Sequence, residues 1–117
     1  MTVVVIDDEA EIGEILTYLI KKEGLECQSF VSPLEAADAI LASNPGFIIC
    51  DFKMPGLNGL ELFNKVKFHI SCPFLILTGE PSTDPEELKA QGIQDVLFKP
   101  RDLKRVTQLA KKHLLPN

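Results

Sequence analysis

The chain has 117 residues, enough for one compact domain and too few for two of ordinary size. Seventeen acids against twelve bases give a net charge of −5, and no basic run offers the clustered Lys and Arg of a stand-alone nucleic-acid binder. Hydrophobic residues make up 45% and charged residues 25%, the balance of a folded soluble domain, and no apolar run approaches the ~20 residues of a membrane span. Asp7, Asp8, Glu9 and Glu11 interrupt the N-terminus where a signal peptide would be apolar. Cys27, Cys50 and Cys72 form no C-x-x-C pair and read as buried thiols in a reducing cytoplasm.

In chain order, strands and helices alternate. Thr2–Ile6 is a continuously apolar, β-branched run, the pattern of a strand covered on both faces. Glu9–Glu23 carries Ile12, Ile15, Leu16, Leu19 and Ile20 at amphipathic helical spacing and stops at Gly24. Leu25–Phe30 alternates weakly, as a second strand. Ser32-Pro33 with Glu35 predicts a capped helix to about Ala42. Phe47–Cys50 is a third strand, followed by a Pro/Gly loop and a helix over Gly59–Ile70 with Leu60, Phe63 and Val66 on one stripe. Phe74–Leu77 is a fourth strand. Ser82 or Asp84 caps a short helix through Gln91. Asp95–Phe98 is a fifth strand, and a helix over Asp102–Leu114 buries Leu103, Val106, Leu109 or Ala110, and Leu114. Pro116-Asn117 reads as a tail, and His69 and His113 as surface residues. The alternation predicts one α/β domain over 1–117, a doubly wound five-stranded parallel sheet.

In such sheets, sites form beyond the carboxyl ends of the strands. Those ends carry Asp7, Asp8 and Glu9, then Asp51, Thr78 and Lys99. If the strand order is 2-1-3-4-5, Asp7, Asp8 and Asp51 converge. Three carboxylates in one site need a countercharge, and an oxygen-only donor set suits Mg²⁺ better than Zn²⁺. Acids, a divalent cation, an ammonium and a hydroxyl together suit phosphoryl transfer, with an Asp carboxylate as nucleophile. Each feature alone has a plainer reading. The acids can cap a helix, Asp51 can end a strand, Thr78 can sit in a turn and Lys99 can be a solvated charge. Their shared edge of the sheet argues against that.

V-V-V-I-D-D-E at the start, D-F-K-M-P-G-L-N-G around Asp51, L-T-G-E at Thr78 and F-K-P at Lys99 resemble the receiver domain of two-component response regulators, across essentially the whole chain. The resemblance implies a flavodoxin-like (βα)5 fold with strand order 2-1-3-4-5 and assigns roles. Asp51 is the phosphoacceptor for a histidine kinase or histidine phosphotransfer protein. Asp8, Asp51 and the Lys53 backbone carbonyl bind Mg²⁺ directly, and Asp7 through a water. Thr78 and Lys99 bond phosphoryl oxygens, and the Lys99–Pro100 peptide is cis. Gly59 lets the loop fold tightly into the third helix. The surface over residues 84–114 meets a downstream target protein or an output domain. Neither direct nucleic-acid contact nor membrane insertion is implied, and the only catalysis is the domain's own phosphorylation and dephosphorylation.

One departure stands out. The family places an aromatic residue three before the lysine, and here that position is Val96. Phe98 lies on the same face by strand periodicity and is a candidate substitute; its plainer reading packs it beneath the last helix. Lys53 and Glu80 flank the site's entrance, where an ion pair between them would slow hydrolysis. The runner-up is a pseudo-receiver, an interaction module without phosphorylation, but its usual signature is loss of acids or lysine, and here they are all present. A phosphatase or flavin protein fits less well. Lys53 stands where the phosphatase needs a second acid, and Asp-Asp-Glu would repel a flavin phosphate.

Overall fold

A computed structural model describes residues 2–115; the tail expected at Pro116-Asn117 lies outside the described residues. Five strands and five helices alternate: β1 (Thr2–Ile6), α1 (Ala10–Lys22), β2 (Glu26–Phe30), α2 (Pro33–Ser43), β3 (Phe47–Cys50), α3 (Gly59–Val66), β4 (Phe74–Thr78), α4 (Pro85–Ala90), β5 (Asp95–Phe98) and α5 (Leu103–Leu114). The strands form one parallel sheet in the order β2-β1-β3-β4-β5. This is the doubly wound, flavodoxin-like arrangement anticipated above.

The apolar strands alternate between two cores. Val4, Ile6, Ile48, Cys50, Ile76 and Val96 face α2, α3 and α4, where Ala37, Ile40, Leu62, Phe63 and Leu88 cover them. Val3, Val5, Ile49, Leu75, Leu77 and Leu97 face α1 and α5, where Leu16, Ile20, Val106 and Ala110 close the layer. Burial on both faces is why β1, β3 and β4 read as unbroken apolar runs. The edge strand β2 keeps Glu26, Gln28 and Ser29 exposed, which discourages pairing with another chain.

Several expectations shift. In α1, Gly13, Leu16 and Ile20 are buried while Ile15 is exposed, because close approach at Gly13, where an added Cβ would touch Ser29, turns the buried face toward β2. The third helix ends at Val66 rather than Ile70. Lys67 N–H still bonds Phe63 O, but His69 N–H bonds Val66 O, one residue nearer, so the last turn tightens. Its buried stripe includes Leu62, while Leu60 is half-buried. Asp84, not Ser82, caps α4, accepting from Glu86 and Glu87 N–H. Asn58 and Glu61 form a reciprocal capping box on α3. Ala110 is buried and Leu109 half-buried in α5. Cys27 and Cys50 are buried free thiols, whereas Cys72 is only half-buried. His69 and His113 are both exposed.

Candidate functional site

The carboxyl ends of β1, β3, β4 and β5 converge because parallel pairing sets them in one register. Asp51 N–H donates to Ile6 O at 2.7 Å, placing Asp51 beside the acids that follow β1. Lys99 N–H donates to Thr78 O at 2.9 Å, tying the β5 end to the β4 end. Asp7, Asp8 and Asp51 each offer an oxygen, all within 4.8 Å of one another. Asp7 and Asp51 are buried and Asp8 is exposed.

Asp7 is held at both oxygens. Oδ1 accepts from Glu9 N–H at 2.9 Å and Oδ2 from Lys99 Nζ at 2.8 Å. Asp51 Oδ1 accepts from Phe52 N–H at 2.8 Å, and its Oδ2 lies 3.3 Å from Lys99 Nζ. Glu9 occupies the N-cap position of α1 but makes no side-chain cap; its carboxylate accepts from Lys99 at 2.9 Å instead. The Lys99 ammonium therefore meets three carboxylates, hydrogen-bonding Asp7 and Glu9 and forming an ion pair with Asp51.

The titration of these groups follows from burial. Burial raises the Asp7 pKa against the pull of Lys99. Burial, then repulsion from Asp7, pushes Asp51 up to about 7. Burial alone would lower Lys99, but its hydrogen bonds to Asp7 and Glu9 and the charge of Asp51 outweigh it and hold the ammonium above its usual range. The site is thus an anionic cup with one fixed cation. A hard divalent cation fits that donor set, because three clustered carboxylate oxygens exceed what one ammonium neutralises.

Thr78 is fully buried as the last residue of β4, so the strand runs one residue beyond the expected Leu77. Its hydroxyl accepts from Glu80 N–H at 3.0 Å and lies 3.1 Å from the Thr83 hydroxyl. Lys53 and Glu80 pair at 3.7 Å, largely exposed, over a 280 Å³ depression that Asp8, Glu9, Asp51, Gly79 and Lys99 complete. The Lys99–Pro100 peptide is cis.

Matched to residues 3–111, the model of the response regulator receiver domain covers nearly all of the chain. The chain belongs to the response regulator receiver domain family. Solved structures agree with this receiver domain in both fold and extent. A Francisella response regulator receiver domain matches with a TM-score of 0.82 at 28% identity, over 95% of this chain and 96% of that one. A receiver domain from Clostridium thermocellum matches at 0.80 and 28%, over 97% and 98%. The response regulator TrrA from Thermotoga maritima, solved in complex with Mg²⁺-BeF, matches at 0.84 and 25%, over 97% and 98%.

Within the receiver domain, Asp7, Asp8, Asp51, Thr78 and Lys99 fall at one edge of the sheet, while Val96 lies inside β5 and Phe98 differs in its environment. Val96 and Phe98 do share a face, but Phe98 packs against the α2–α4 core, not beneath α5. It pairs across from Thr78, and Arg101 lies 5.4 Å over its ring. Val96 is buried opposite Ile76. Three contributors, of which Glu9 alone was named at a strand end, were given no role from sequence. Glu9 is a direct partner of Lys99, foreshadowed by the third acid after β1. Asp102 accepts from Phe98 N–H at 2.9 Å, which holds its carboxyl below the usual range and closes the Lys99–Arg101 turn; the signal was an Asp three residues after the lysine. Thr83 had no signal, since its contact with Thr78 crosses a turn.

Proposed function

We propose that this receiver domain, a single domain over residues 1–117, is a phosphoacceptor switch in which Asp51 takes a phosphoryl group from a phosphohistidine. The observation that carries this reading is the cluster of Asp7, Asp8 and Asp51, with Lys99 paired to Asp7 and Asp51, at the edge where Thr78 also ends. An Asp51 carboxylate oxygen attacks phosphorus, forming the acyl–phosphate P–O bond as the P–N bond to the donor imidazole breaks. The departing imidazole nitrogen keeps the electron pair and takes a proton from water. Lys99 trades one carboxylate for a phosphoryl oxygen, and exposed Glu9 is the partner that leaves with least penalty. Thr78 donates its hydroxyl proton to a second phosphoryl oxygen.

Asp8, Asp51 and the Lys53 backbone carbonyl would hold Mg²⁺ directly, and Asp7 through a water. The cation would keep Asp51 ionised and offset charge on the phosphoryl oxygens. The partners are a histidine kinase or phosphotransfer protein on one side and a target protein or output domain on the other. The working compartment is the cytoplasm; among the described residues, no helix is long and apolar enough to cross a membrane.

Incubation with acetyl phosphate should add one phosphoryl group by intact mass only with Mg²⁺, and Asp51→Asn should abolish the gain. A folded wild-type protein that gains nothing would replace this reading with an interaction module that is not phosphorylated. The Lys53–Glu80 pair should slow attack of water on the acyl phosphate. Lys53→Ala or Glu80→Ala should therefore speed decay, by up to about fivefold, the ceiling for an exposed pair of ~0–1 kcal/mol. Decay unchanged in both variants removes the pair from the mechanism.

A further inference from the structure

The Thr78 hydroxyl is engaged within its own loop. It has one proton and two lone pairs. Glu80 N–H occupies one lone pair, and the Thr83 hydroxyl takes either the other lone pair or the proton. We propose that Thr83 is a positioning residue that holds the Thr78 hydroxyl within its own loop, and that its release carries the signal into α4. This rests on the phosphoacceptor reading above.

The local chain supports that route. Thr83 N–H donates to Glu80 O at 3.1 Å, closing a turn over Glu80–Thr83. The next residue, Asp84, caps α4, so no spacer separates the Thr83 hydroxyl from the start of that helix. Turning Thr78 toward a phosphoryl oxygen breaks its bonds to both Glu80 and Thr83. Thr83 is half-buried and Glu80 partly exposed, so water can take up the freed groups. A 440 Å³ cleft separates Thr83, Asp84 and Leu88 from Phe52 and Met54 and leaves the loop room to shift.

A route through β5 is poorly furnished by comparison. Val96 is buried, with neither a ring to swing nor a hydroxyl to re-pair. The Phe98 ring is wedged between the α2–α4 core and Arg101. The polar contact that Thr78 loses on turning is made within its own loop.

The test uses Thr83→Val, which keeps shape and removes the hydroxyl, and Thr83→Ser, which restores it, each with Thr78 intact and in a Thr78→Ala background. Two readouts are taken: amide hydrogen exchange at Glu80 in the Mg²⁺-free protein, and affinity for beryllofluoride with Mg²⁺. With Thr78 intact, Thr83→Val should lower Glu80 protection and raise beryllofluoride affinity, each about fivefold, the factor one neutral hydrogen bond is worth. Thr83→Ser should match wild type, and in the Thr78→Ala background both effects should vanish. Equal effects in the two backgrounds, or none in either, overturn the proposal. Absence of beryllofluoride binding by wild type would count against the phosphoacceptor reading instead, while Glu80 exchange still decides whether Thr83 restrains Thr78.

Discussion

Lys99→Met should destabilise the Mg²⁺-free protein at pH 8 by about 3 kcal/mol, because it strips the countercharge from buried carboxylates that remain in place. For a domain of this size that lowers the melting temperature by roughly 10 °C. Methionine keeps the length and apolar stem of the side chain, so the loss reports the ammonium rather than a cavity. The Nζ lies 2.8 Å from Asp7 and 3.3 Å from Asp51, with both carboxylates and the lysine side chain at most 8% exposed. The Glu9 contact, 2.9 Å but with Glu9 largely exposed, adds little. Mg²⁺ should recover part of the loss by placing charge among the same oxygens. Equal melting temperatures for variant and wild type in chelator would show that the ammonium does not hold the cluster together.

The same experiment has a pH signature. Asp51 in the folded protein titrates near 7, and Asp7 is also raised, against about 4 for an unfolded Asp. Between those values the folded protein binds more protons than the unfolded chain. Metal-free stability therefore falls as pH rises from about 4 to about 7 and levels off above. Lys99 is held above its usual range, so its own contribution is intact below about 10 and constant across that window. Without Lys99 the two carboxyl groups bind protons more tightly still. The gap between Lys99→Met and wild type should accordingly shrink between pH 8 and pH 5. A gap that is constant with pH would mean the loss comes from packing.

The sheet and the site edge were legible for one physical reason. A strand buried on both faces must be apolar throughout, so the first polar residue after each run marks the carboxyl end where a site forms. Asp7, Asp51 and Lys99 stand out that way. Helical faces were less legible. Ile15 sits at helical spacing with Leu16 and Leu19, yet Gly13 takes the inward position, and a side chain of one hydrogen gives no hydrophobic signal. Leu62 was passed over for Leu60 because Leu60, Phe63 and Val66 recur every three residues and pass for one helical stripe, whereas Leu62, Phe63 and Val66 are the buried set. Polar partnerships across turns were not legible. Thr78–Thr83 and Phe98–Asp102 depend on backbone geometry that residue types alone do not encode. Lys99 was assigned to a phosphoryl oxygen by resemblance, but its partners among the protein's own groups emerged only when Asp7, Glu9 and Asp51 were placed around it.

Gly59→Ala should cost about 2–4 kcal/mol and weaken Mg²⁺ binding at least tenfold, because the added methyl has nowhere to go. A Cβ at Gly59 would sit 2.6 Å from the Asp51 carbonyl oxygen, 2.6 Å from Ile76 Cδ1 and 3.2 Å from Phe52 Cα. Two of these are backbone atoms, and both are pinned. Asp51 N–H is bonded to Ile6 O at 2.7 Å, and Gly59 N–H to Phe52 O at 2.7 Å. Ile76 is fully buried and has no space to yield. Relief must therefore come from moving the β3–α3 connection, which carries the Asp51 carboxylate and the Lys53 carbonyl with it. The roughly 1 kcal/mol that alanine gains over glycine inside a helix is too small to compensate. Gly24→Ala supplies the comparison, since a Cβ there meets nothing within 4 Å and only the φ of +88° resists it. That variant should lose about 1 kcal/mol and leave Mg²⁺ binding unchanged. Urea unfolding in chelator measures the stability of both variants, and Mg²⁺ titration of the folded proteins measures the site. A Gly59→Ala protein within 0.5 kcal/mol of wild type, by the usual spread for harmless substitutions, would mean that the loop can deform without disturbing Asp51.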